Sequence, residues 1–112
     1  MAYPMSSFFD DDRAERRDFE YLKSMYPELP KKILPYIEEE CDRMEYDNSM
    51  VYDEYPDKLQ LKLMCARVCG RVEKYEKDAG SQPLLRDLTE VMMYQEIYKR
   101  RCSRRRKYRR FY

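Results

Sequence analysis

The densest chemistry in this chain lies in its last fourteen residues, KRRCSRRRKYRRFY (99–112). Lys99, Arg100, Arg101, Arg104, Arg105, Arg106, Lys107, Arg109 and Arg110 stand there with no acidic residue among them. Guanidinium forks bind phosphate or carboxylate oxygens two at a time. Tyr108, Phe111 and Tyr112 interleave rings with those charges, and rings stack on exposed bases. The same mixture suits an anionic membrane, where each basic residue near the surface contributes about 1 kcal/mol. The plainer alternative is a solvated run, or one that folds back on the chain's own acids. Pairs of that kind are worth about 0–1 kcal/mol each when exposed, so only a network would hold. No zinc-finger, helix-turn-helix or RNA-recognition motif surrounds the run. It therefore points to an anionic partner without naming one.

The cysteines form a second set. Cys65 and Cys69 in CARVC are four apart and share one face of a helix. Two thiolates so placed can join a zinc site. A complete site needs Cys41 and Cys102 to converge on them, because the chain has no histidine. Cys65 and Cys69 also flank the apolar stripe of Val68 and Val72, where free cysteine behaves as a small hydrophobe. That reading is preferred, and no metal is assigned.

The carboxylates give less. Glu38 and Asp42 are i,i+4 neighbours, but a di-iron bundle wants Glu-x-x-His pairs. The acid-rich stretch from Asp47 lacks the mid-loop glycine of a calcium loop, and its twelfth position is Lys58 rather than Glu. A solvated acidic face is expected. Without histidine there is no Ser-His-Asp or Cys-His pair. Gly70 and Gly80 are too isolated to cradle a phosphate. No catalytic residue and no cofactor is assigned, and a non-enzyme is expected. In SMVYDEYPD (49–57), Met50, Val51, Tyr52 and Tyr55 are large groups in a connection. They are expected to pin the loop to the core. The alternative is a patch that anchors a partner, since tyrosine is enriched at binding hot spots.

What must position these groups is a single small domain of 112 residues. Residues 99–112 carry nine of the 23 Lys and Arg and none of the 22 Asp and Glu. The rest holds 14 basic against 22 acidic residues, a balance of −8, which the overall +1 hides. Such asymmetry suggests an anionic partner, or self-association through tail-to-body charge pairing. No run of 18 apolar residues suggests a transmembrane span. The first residues lack the basic start and apolar centre of a signal peptide, so a cytoplasmic location with reduced thiols is expected.

Apolar spacing predicts an all-α fold, a small bundle of about four helices with a basic C-terminal extension. The helices are placed near 11–26, 31–47, 58–77 and 84–105. Residues 1–10 would be a loose arm, 11–98 the acidic bundle, and 99–112 a tail continuing the last helix. Asp12 with Glu15, and Asp57 with Gln60, have capping-box spacing. Pro35 is expected in the first turn of its helix. Gly80 is placed for a turn. The expected core is Phe19 and Leu22; Ile33, Ile37 and Met44; Leu61, Met64, Val68 and Val72; and Leu84, Leu88, Val91 and Met92. The last helix, apolar over a broad arc, is expected to be the most buried.

Three stretches together, EEECDRMEYDNSMVYDEYPDK (38–58), LLRDLTEVMMYQEIYKRR (84–101) and the arginine-rich end, resemble a family of small uncharacterised proteins from anaerobic Gram-positive bacteria. The resemblance covers about residues 20–112. It implies a bacterial cytoplasmic protein and carries over no residue roles. The expected function is a non-enzymatic interaction module whose tail binds a polyanion or an acidic protein surface. RNA or single-stranded DNA binding is the first alternative. Peripheral attachment to an anionic membrane is the second.

Overall fold

The computed structural model describes the backbone of residues 7–46, 49–53 and 55–111, and side chains within 13–105 of that set. Among these residues the fold is all-α. Helices α1 (Ser7–Ser24), α2 (Glu28–Arg43), α3 (Lys58–Tyr75), α4 (Lys77–Gly80) and α5 (Leu85–Phe111) follow one another, with a 3-10 turn at Met50–Tyr52. Helices α2, α3 and α5 each pack against the other two. Short α4 folds back on the end of α3, and α1 lies along the edge formed by α2 and α5.

The core follows the helical period. Ile33, Ile37 and Cys41 recur every four residues on α2 and are buried. They meet Met64, Cys65, Val68 and Val72 of α3 and Leu85, Met92, Met93 and Ile97 of α5. Burying each large aliphatic side chain contributes about 1.5–3 kcal/mol. The Asp57 carboxylate caps α3 by accepting from the Leu59 N–H at 3.1 Å. Pro27 precedes α2, whose first backbone bond runs from the Lys31 N–H to the Pro27 carbonyl.

Several boundaries differ from expectation. Helix α1 begins at Ser7, so Asp12 lies inside it and is not its cap. Acids in the first turns suit the positive end of the helix dipole, which favours the earlier start. Helix α2 begins at Glu28, which places Pro35 inside the helix. There its ring nitrogen cannot donate to the carbonyl four residues back. Four expected core residues are exposed: Phe19, Leu22, Leu84 and Val91. Leu59 and Leu63, which widen the α3 stripe, also face solvent. Helix α1 stands off enough to leave a groove of about 420 Å³ lined by Phe19, Tyr26, Leu34 and Met92. Its stripe is too narrow to be buried on two sides.

The two glycines do opposite things. Gly80 does not adopt a positive φ. It is needed because a Cβ there would sit 2.6 Å from the Glu73 Cα, where α4 crosses α3. Gly70, mid-helix in α3, has open space around it. Gly80→Ala is therefore expected to destabilise by about 1–3 kcal/mol. Gly70→Ala should stabilise by about 0.5–1 kcal/mol through helix propensity. Urea unfolding of the two variants reads both signs.

Candidate polyanion interface

Helix α5 runs without interruption from the core into the basic run, and the run is helical to Phe111. The inward side of its first half is set by Leu85, Thr89, Met93 and Ile97, all buried. The Thr89 hydroxyl donates back to the Leu85 carbonyl at 2.7 Å, which removes an unmet polar group from the core. That inward side continues through Glu96 and Arg100. Here the basic residues divide.

Arg100 belongs to the fold. Its Nε donates to Glu96 Oε1 at 2.9 Å, and its Nη1 donates to Asp42 Oδ1 at 2.7 Å and Glu45 Oε2 at 3.0 Å. A second terminal nitrogen reaches the Glu38 carbonyl at 3.4 Å. One guanidinium thus ties α5 to the last turns of α2. Burial works against its charge, but the bonds to Asp42 and Glu96 outweigh burial and raise its pKa. Lys99 is also half-buried. Its Nζ lies 3.8 Å from Glu96 and 5.1 Å from the centre of the Phe19 ring. Burial holds its pKa below the usual value, opposed by Glu96 and aided by Lys23 nearby. Neither Lys99 nor Arg100 is open to a partner in the way the sequence suggested.

Arg101 and Arg104 come next on the helix, and both interact within the chain. Arg101 and Arg104 are half-exposed, and the Arg104 guanidinium lies 3.9 Å from the centre of the Tyr52 ring. Arg105 is exposed. Arg106, Lys107, Arg109 and Arg110 sit on the helix, as do Tyr108 and Phe111, with side chains outside the described residues. Tyr112 lies outside them altogether.

The residues of the 49–57 loop lie in the same region. Val51 is buried, Met50 packs against the core, and Tyr52 donates its hydroxyl to Glu45 Oε1 at 2.7 Å beneath Arg104. Only Tyr55, 86% exposed, stands clear among the four. They do not form one surface. The Tyr52 hydroxyl is pushed up to about 12, by burial first and then by Glu45.

The acidic face of α2 is not merely solvated. Glu40 is 2% exposed and accepts from Arg67 Nε at 2.6 Å, while Arg71 pairs with Glu39 and lies over the Tyr36 ring. Glu38 is 3.4 Å from the Lys23 amino group of α1. Four acids of α2 therefore bind cations from α1, α3 and α5, and hold the helices in register. For the pairing of Glu96 within α5 a sequence signal existed. Glu96 stands four residues before Arg100 and three before Lys99, the spacing of helical ion pairs.

Three of the four thiols are core, and Cys102 is half-buried. Cys41, Cys65 and Cys69 are buried, and Cys41 Sγ touches Met93 Sδ at 3.6 Å. Burial pushes Cys41 up to about 12 and Cys65 to about 11. Among the described residues no three cysteine or carboxylate groups gather as metal ligands. No described helix is long and apolar enough to cross a membrane.

No protein-family model, curated protein or solved structure matches this chain.

Proposed function

We propose that the chain is a non-enzymatic interaction module that grips a polyanion with the outer end of α5. The observation that carries this reading is the division of the basic run on one continuous helix. Lys99 and Arg100 are committed to the chain's own acids, and the run continues in helical form beyond Arg104. Five cations, at 105, 106, 107, 109 and 110, follow within six positions. At 100° per residue those positions occupy three sides of the helix, and 108 and 111 the fourth. A cationic rod of this kind matches closely spaced phosphates, because neutralising them releases counterions. Two rings on one side are too few for the broad apolar face of a helix that lies in a bilayer. Nucleic acid is therefore the favoured polyanion, and acidic protein surfaces share the same chemistry.

The test is an anisotropy titration of full-length protein and a chain ending at Arg104 against single-stranded RNA, duplex DNA and polyglutamate. A flotation assay with anionic vesicles runs alongside. Full-length protein should bind the nucleic acids, and the shortened chain should not. Equal binding by both chains would end the proposal. Vesicle binding without nucleic-acid binding would favour the membrane reading instead.

A further inference from the structure

The groove beside α1 holds two amines. Lys23, in the last turn of α1, and Lys99 of α5 both line it. Its walls include Phe19, Tyr26, Leu34 and Met92, and its volume of about 420 Å³ is that of a small-molecule site. The two amines are not equivalent. Lys23 Nζ has Glu20 at 2.9 Å and Glu38 at 3.4 Å. Among the described residues the carboxylate nearest Lys99 Nζ is Glu96, at 3.8 Å, and the other oxygen of that carboxylate is bonded to Arg100 at 2.9 Å. Burial is the largest influence on Lys99 and lowers its pKa; Lys23 lowers it further, and Glu96 and Glu38 offset this in part. Burial acts on Lys23 too, but there the acids prevail and raise the pKa. Neighbouring groups pushed apart in this way divide into one that stays charged and one that can supply a lone pair.

We propose that Lys99 is a carbonyl-reactive amine, and that the groove takes an aldehyde or ketone with an apolar body and holds it as an imine on Nζ. Burial in an apolar site and a neighbouring cation are two ways in which a lysine becomes nucleophilic, and Lys99 has both. The Nζ lone pair adds to the carbonyl carbon, and the C–N bond forms as the second C=O pair moves to oxygen. That oxygen then leaves as water with the two hydrogens of the amine, and the nitrogen completes the C=N bond. No oxidant or reductant takes part. Lys23 remains charged beside the reacting nitrogen and holds Lys99 toward its neutral form. The apolar walls take the body of the ligand out of water. The site does not draw on the five outer cations of the proposed grip.

The test is reductive labelling of the full-length chain with hexanal and cyanoborohydride near neutral pH, read residue by residue by peptide mass mapping. Lys99 should be alkylated at least about tenfold faster than exposed Lys58 and Lys62. Formaldehyde, too small to use the groove, should show a smaller preference for Lys99. Lys23→Gln should bring Lys99 down toward the rate of the exposed lysines. Labelling of Lys99 no faster than that of Lys58 or Lys62 overturns the inference. So does an equal preference with both aldehydes, which would leave the groove without a part. A Lys23→Gln chain of native circular dichroism that keeps the full preference overturns it as well.

Discussion

Replacing Arg100 by alanine is expected to lower the unfolding free energy by about 2–4 kcal/mol. Glu96 is 7% exposed, and without the guanidinium its carboxylate keeps, among the described residues, only Lys99, at 3.8 Å. A buried charge left short of partners is among the most damaging single changes a fold can suffer. Asp42 and Glu45 lose the cation that joins the end of α2 to α5, but both are more exposed, so their share is smaller. Arg105→Ala is the control. It removes the same charge from an exposed position and should change stability by no more than about 0.5 kcal/mol. Urea unfolding followed by circular dichroism compares them. Equal midpoints would show that Arg100 does not clamp the helices.

The second large effect concerns binding. Changing Arg105, Arg106, Lys107, Arg109 and Arg110 together to alanine is expected to weaken binding to single-stranded RNA by about 100-fold or more. Each phosphate contact contributes somewhat less than about 1 kcal/mol, and five are removed. Alanine has the highest helix propensity, and Arg105 is exposed. Unfolding midpoints should therefore stay near the wild-type value while affinity collapses. Arg100→Ala and the five-fold variant thus fail in opposite assays. Unchanged RNA affinity in the five-fold variant would remove the outer helix from the binding account.

The all-α class was legible because apolar residues recur at helical steps on α2 and α3, with Asp57 in place to cap the latter. The contents of the core were less legible. Periodicity identifies an apolar arc but not which part of it meets a neighbour. On α5 the arc is wider than α2 and α3 can cover, so Met93 and Ile97 are buried while Val91 faces out. The basic run shows the same limit. Composition marks nine cations alike, and only the folded position of Asp42, Glu45 and Glu96 separates Arg100 from Arg105. Pro35 and Gly80 depart from expectation for another reason. Local rules place proline in a first turn and glycine in a turn, whereas here helix length and a close α3–α4 crossing decide. The 3-10 turn at Met50–Tyr52 followed its expected role, with Val51 turned into the core.

The salt dependence of binding to a single-stranded oligonucleotide tests the division of the basic run most directly. A single strand loses about 0.7 log units of affinity per log unit of salt for each phosphate contact. Five outer cations predict a slope of about −3.5, whereas all nine acting on the ligand would give about −6. A slope near −3.5 that vanishes in the chain ending at Arg104 is the expected result. A slope near −6 would mean that Lys99 and Arg100 leave their carboxylates for the ligand, and a slope near zero that phosphate is not what the helix end holds.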